Sequence, residues 1–141
     1  MDNRIFASVF MLAFAVSSSV CAGSGTDTFS VGDTTASVGG TFTVSTVLDG
    51  GSGDIQGGSD GLCHTAALAT VDSVDDADTS TVKNGSPADF NEKSTFAEGF
   101  TQGVVICFTG CAVISAGTSG FQMATGNYTA TAEGTGSVEF C

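Results

Sequence analysis

Positive charge is what this chain has least of. Three Lys and Arg stand against 15 Asp and Glu, a net charge of −12. Nucleic-acid binding relies on Lys and Arg to displace counterions from phosphates, so that class of partner is excluded. Anionic membrane surfaces are disfavoured for the same reason. Tryptophan is absent and tyrosine occurs once, as Tyr128. Sugar platforms present Trp or Tyr rings to pyranose faces while a polar tip stays wet, which leaves carbohydrate binding weakly supported. Histidine also occurs once, as His64. The remaining stock of general bases is carboxylates, which argues against an enzyme. The long helix formers Leu, Lys, Arg and Glu are scarce, whereas Gly, Ser, Thr, Asp, Val and Phe dominate. β-branched and aromatic side chains suit a pleated, half-buried surface, so the composition is that of an all-β domain.

One apolar run is long enough to need its own explanation. Arg4 supplies a short positive segment, and Ile5 to Val16 is uncharged and apolar. Val20 and Ala22 then stand at the −3 and −1 positions of a cleavage site before Gly23. The run is too short to span a bilayer as a helix, which takes about 20 residues. Residues 1–22 are therefore expected to be a removed signal peptide. The competing reading, a lipoprotein acylated on Cys21, lacks the usual Leu and small residue before the cysteine. Residues 23–141 are then a single domain, secreted or held at the cell surface, with no membrane contact after the leader is lost. Lys83 and Lys93 are its only cations.

Loss of Cys21 leaves Cys63, Cys107, Cys111 and Cys141. An even number in an oxidising compartment reads as two disulfides, with three connectivities open. Cys107 and Cys111 bracket Phe-Thr-Gly, a short turn, and form the natural local pair, which leaves Cys63 with Cys141. A metal site is the alternative, but the spacing lacks Cys-x-x-Cys knuckles.

Thr41 to Leu48 alternates, with Phe42, Val44 and Leu48 on one face and Thr41, Thr43 and Ser45 on the other, as a half-buried strand does. Thr28 to Val31, Ala69 to Val74, Gly103 to Phe108, Phe121 to Thr131 and Ser137 to Cys141 read as further strands. The apolar run at Gly103 to Phe108 is expected to be the most buried, and Asn84-Gly85 marks a turn after Thr79 to Lys83. Phe42, Phe90, Phe96, Phe100, Phe108, Phe121 and Phe140 are expected in the core. Short strands between Gly-rich turns predict an antiparallel jelly-roll-type β-sandwich of about eight or nine strands.

These segments carry a resemblance. Val31-Gly32-Asp33, then Val38-Gly39-Gly40-Thr41 leading into TFTVSTVLD, is similar to the opening of cohesin-like domains. DIQGGSDGLCHTAAL, TVKNGSPADFNEK, GFTQGVVICFTG and the closing SVEFC resemble a subfamily in secreted, often dockerin-bearing proteins of planctomycete-type bacteria. The resemblance implies a protein-binding sandwich whose partners are dockerin-like helical segments. This chain carries neither a dockerin nor a tandem copy. It also departs from the pattern at three positions: Gly58 replaces a Trp, Asp60 a large apolar residue, and Thr65 an Asp. Removing apolar bulk from a core face costs about 3 kcal/mol or more if unrepaired.

Four constellations have a chemical reading to be weighed. Gly57-Gly58-Ser59-Asp60-Gly61 matches the G-x-S-x-G nucleophile elbow, but His64 follows too soon for an intervening helix and acid. Cys63 and His64 are strand neighbours that point to opposite faces, so they make no dyad, and His64 is expected to make a structural hydrogen bond. Gly50-Gly51-Ser52-Gly53-Asp54 resembles the calcium nonapeptide, but its Asp comes one residue early and nothing repeats. Asp72, Asp75, Asp76 and Asp78 are the densest acidic cluster and weak candidates for a Ca²⁺ site, against a solvated acidic loop. No other cofactor is expected.

The leading expectation is a secreted, disulfide-stapled β-sandwich acting by protein–protein contact. The alternatives are a self-associating subunit of an extracellular matrix or filament, paired through exposed edge strands, and a carbohydrate- or calcium-dependent surface-binding module.

Overall fold

A computed structural model describes residues 27–32 and 34–141; the leader, Cys21 and Gly23 lie outside the described residues. Eight strands form in chain order: β1 Thr28–Val31, β2 Thr41–Asp49, β3 Gly57–His64, β4 Ala69–Asp75, β5 Phe90–Phe96, β6 Gly99–Val105, β7 Phe121–Ala130 and β8 Val138–Phe140. They make two four-stranded sheets, ordered β1-β2-β7-β4 and β5-β6-β3-β8. Every ladder is antiparallel. Only β1–β2 and β5–β6 are sequence neighbours that pair. Elsewhere the chain crosses from one sheet to the other, which builds the sandwich.

Alternation along each strand sets the two inner faces. On β2 the buried residues are Phe42, Val44, Thr46 and Leu48. On β6 they are Phe100, Gln102 and Val104, and β3 offers Leu62 and His64 from the same face. Each large apolar side chain buried here contributes about 1.5–3 kcal/mol. The apolar residues fall into two clusters. One holds Val44, Leu62, Phe100, Ala124 and Tyr128; the other holds Phe29, Leu48, Val104, Ile106 and Met123.

A polar rung separates them. Thr46 lies between Val44 and Leu48 on β2, and Gln102 lies between Phe100 and Val104 on β6. The ladders put Asp60 of β3 opposite Gln102, and Gln102 opposite Lys93 of β5, so the three stand in one row. Thr46 is fully buried and Gln102 is 2 % exposed. The core is therefore two apolar layers with hydrogen-bonding groups between them.

Several expectations are corrected. Asn84-Gly85 makes its turn, with Lys83 bridged to Ser86, but Thr79 to Lys83 ahead of it begins inside a 3₁₀ turn, Ala77–Ser80. β3 and β5 are complete strands although one is Gly-rich and the other polar; the β3–β6 and β5–β6 ladders supply what alternation does not signal. The apolar run is out of phase with its strand: β6 ends at Val105, while Ile106 and Cys107 are buried beyond it. Three of the expected core phenylalanines face solvent. Phe90 and Phe96 are each 40 % exposed and Phe108 is 69 % exposed.

Candidate functional site

Two arrangements stand out: a surface patch of phenylalanine and a buried acid. The patch is built on β5, an edge of its sheet. Phe90 and Phe96 are six residues apart, so they share the outer face about 20 Å from one another. Phe90 lies beside Gly103 of β6, where an added Cβ would be 3.5 Å from its ring. Phe108 belongs to the same end, because its amide donates to Asp89 Oδ2 at 2.9 Å. Asp89 also forms an ion pair with Lys83. The Lys83 ammonium and then the Phe108 amide hold its carboxyl below the usual carboxylate range. Cys107, beside Phe108, is disulfide-bonded to Cys111 with 5.7 Å between Cα atoms. The backbone that carries an aromatic ring left in solvent is thus held from both sides, by a covalent loop and by a charge-assisted hydrogen bond.

The second disulfide joins Cys63 on β3 to Cys141 beyond β8, with Cα atoms 5.6 Å apart. Two intrachain disulfides suit an oxidising, extracytoplasmic compartment. Among the described residues no helix is long and apolar enough to cross a membrane.

The buried acid is Asp60. The polar rung is well bonded on its β5 side. Gln102 Nε2 donates to Asn91 Oδ1 at 2.8 Å and to the Met123 carbonyl at 3.2 Å. Asn91 Nδ2 donates to Thr79 Oγ1 at 2.8 Å and to Asp76 Oδ1 at 3.2 Å, and Lys93 forms an ion pair with Asp76. The β3 side is bare. Both carboxyl oxygens of Asp60 and Oε1 of Gln102 are buried without a hydrogen-bond partner. Burial pushes the Asp60 carboxyl above its ordinary value of 3.8. The Thr46 hydroxyl and Asp60's own amide offset part of that effect by proximity, although neither closes a hydrogen bond of good geometry. A cleft of about 740 Å³ reaches this corner, lined by Phe29, Phe140 and Cys141 and also by Ser59, Thr101 and Gly103 of the outer face. The Phe29 and Phe140 rings meet edge to face there, 5.9 Å apart.

The motifs singled out in the sequence fall elsewhere. Gly57 to Gly61 is strand and not an elbow. Ser59 projects from the outer face, while His64 turns inward and its Nε2 lies 2.8 Å from the Ala69 carbonyl oxygen. Asp54 Oδ1 accepts from the Ala116 amide at 3.0 Å, tying two turns together. The four clustered aspartates diverge. Asp72 accepts from Thr129 at 2.6 Å and Asp75 from Asn127 at 2.9 Å, both on the outer face. Asp76 faces Lys93, and Asp78 accepts from the Gln122 amide at 2.8 Å. Among the described residues no three acidic, His or Cys side chains gather as a metal site would need. Tyr128 is wholly buried, its hydroxyl unpartnered and its pKa pushed up to about 12 by desolvation.

Two signals for these sites were present in the sequence. Phe108 sits inside the short turn bracketed by Cys107 and Cys111, and a turn places its residues at the surface. Asp60 occupies a core-facing position in the alternation Gly58, Asp60, Leu62, where an acid is out of place. No protein-family model matches the chain, and no significantly similar curated protein was found, so both sites are read from their own geometry.

Proposed function

We propose that this protein is an exported binding domain of cohesin-like plan that works by protein–protein contact through the outer face of β5. The observation that carries this reading is Phe108, 69 % exposed yet anchored by a disulfide and by Asp89, with Phe90 beside it. A large apolar side chain on backbone that is already ordered costs less entropy to bind, which is how interface anchors gain affinity. The surroundings supply the rim. Glu92 is exposed on the same strand, and Lys83 and Lys93, the cations of residues 23–141, are each engaged with an aspartate. The partner expected is apolar at its centre and basic at its edge, as a dockerin-like helical segment with flanking Lys or Arg would be. Export, through the leader at residues 1–22, accords with the two disulfides.

A second copy of the domain is the other occupant with a specific observation behind it. β5 is an edge strand seven residues long whose outward side is unpaired by its own sheet. The two occupants separate in one experiment. Residues 23–141 are tested by sedimentation across a concentration series and by capture of secreted proteins, as wild type and as Phe90→Ser/Phe108→Ser. Interface anchors are worth about 2 kcal/mol or more each, so the double variant should weaken the complex at least tenfold. Its Tm should stay within a few degrees, because Phe108 is largely and Phe90 partly in solvent and neither belongs to the core clusters. Undiminished binding in a folded double variant would remove this face as the interface.

A further inference from the structure

The structure assigns Asp60 a second role: we propose that it is held as the neutral carboxylic acid, donating its proton to Gln102 Oε1, and that its ionisation opens the sandwich at the β3 corner. Three buried acceptor atoms on these two facing residues lack a hydrogen-bond partner, namely both Asp60 oxygens and Gln102 Oε1. The two residues are direct partners in the β3–β6 ladder and face the same way, which puts their Cβ atoms about 5 Å apart. Gln102 cannot solve the shortage by turning its amide over, because its nitrogen is already committed to Asn91 and the Met123 carbonyl. One proton on Asp60 solves it: the carboxylic O–H donates to Gln102 Oε1 and the remaining oxygen takes the Thr46 hydroxyl.

In residues 23–141 the terminal carboxylate of Cys141, which lines the same cleft, is a further negative group at this corner and opposes ionisation of Asp60. Lys93 of β5 is in the same row, beyond Gln102, and is ion-paired to Asp76. The inward residues that face this level from the other elements are Phe29 on β1, Thr46 on β2, Met123 on β7 and Phe140 on β8, none of them charged. His64, two rungs along β3, is turned to the Ala69 carbonyl.

Ionisation would place a carboxylate against Gln102 Oε1, with the Thr46 hydroxyl as the side-chain donor at hand and water needed for the rest. The route for water exists, since Asp60 and Gln102 both line the cleft that Ser59, Thr101 and Phe140 also border. The sign follows from a folded-state pKa raised above the unfolded value of 3.8. Stabilisation is complete below 3.8 and is lost as pH rises through the folded-state value. The rung is therefore shut in acid and loosened towards neutral pH.

The test compares residues 23–141 as wild type, Asp60→Asn and Glu92→Gln, the last removing an exposed charge. Thermal unfolding is followed from pH 3 to pH 8, and the Asp60 carboxyl carbon is titrated by NMR in the wild type. The Asp60→Asn side chain carries the missing donor at every pH. Tm of that variant should match the wild type near pH 3 and exceed it by several degrees at pH 7.5, whereas Glu92→Gln stays parallel to wild type. The Asp60 carbon should titrate above every other aspartate. A Tm gap between Asp60→Asn and wild type that does not grow with pH overturns the proposal. So does an Asp60 carbon that titrates with the exposed aspartates, a result that stands whether or not the variant folds.

Discussion

The two disulfides should differ sharply in what they contribute, and the difference is set by loop length. Cys63 and Cys141 are 78 residues apart, Cys107 and Cys111 only 4. In the chain-entropy treatment a cross-link stabilises by restricting the unfolded ensemble, with a logarithmic dependence on the loop closed. That gives about 4.5 kcal/mol for the long bridge and about 2 kcal/mol for the short one. For a domain of this size each kcal/mol moves Tm by roughly 4 °C, so the paired replacements should lower it by about 18 °C and 8 °C. The folded state adds to the larger figure. β8 is three residues long, and the bridge lies immediately after it. Val138 is buried in the first apolar cluster, and Phe140 packs against both clusters and meets Phe29. Freed of the bridge, this strand can fray and withdraw both residues.

The clean perturbation is replacement of both partners, Cys63→Ala/Cys141→Ala and Cys107→Ala/Cys111→Ala, which avoids a lone thiol. Alanine is preferred to serine because Cys107 is 3 % exposed and a hydroxyl there would need a partner. Urea unfolding of each variant gives the free energy, and the slope reports whether the unfolded ensemble expands. The long-bridge variant should also show the larger rise in slope, since it releases more chain. A loss from the short bridge equal to or greater than that from the long one would refute the loop-length account.

Two further outcomes follow from single features. Gly99→Ala would drive a Cβ into the Leu62 carbonyl oxygen, a backbone atom in the β3–β6 ladder, so unfolding by denaturant should show a loss of about 3 kcal/mol or more; a loss below about 1 kcal/mol would mean the ladder is looser there. Millimolar calcium should raise Tm no more than sodium chloride at matched ionic strength, because Asp72, Asp75, Asp76 and Asp78 each have a different partner; a calcium-specific shift abolished by Asp76→Asn would restore a metal site.

Period-two patterning was legible wherever one face of a strand is apolar. β2 reads directly from Thr41 to Leu48, and the all-β class follows from composition. β5 carries no such pattern: its inward residues Asn91 and Lys93 are polar because they belong to the rung, so alternation between polar and polar gave no signal. Phe90 and Phe96 were misplaced for the same reason, since apolar residues on that strand face outward. The apolar run Gly103 to Phe108 misled differently. Burial continues through Ile106 and Cys107 after the strand ends, and hydropathy does not distinguish a buried strand from a buried loop end. Asp60 was visible as an anomaly, but its shortage of donors depends on Gln102 being opposite it, a relation between strands distant in sequence that only the ladder establishes.

The rung accounts for a second property of the fold, the fixing of register. Glycines and small residues fill the outer face of β3 and β6, namely Gly57, Ser59, Gly61, Gly99, Thr101 and Gly103. Such a face chooses among pairings only where the strands approach most closely, at Gly57 and Gly99, whose Cβ would meet the Val104 and Leu62 carbonyl oxygens. The inner face also chooses. A two-residue slip of β3 against β6 would bring Asp60 opposite Phe100 or Val104 and leave Gln102 facing Leu62 or Gly58. In either case Asp60 loses the Gln102 side chain opposite it, while Gln102 keeps Asn91, at about 1–3 kcal/mol for the group stranded. Apolar residues in place of Asp60 and Gln102 would bury more surface but would remove that penalty. The polar row therefore gives up some burial energy between the two apolar clusters, and what it supplies is discrimination among registers on the inner face, added to that of the close approaches at Gly57 and Gly99.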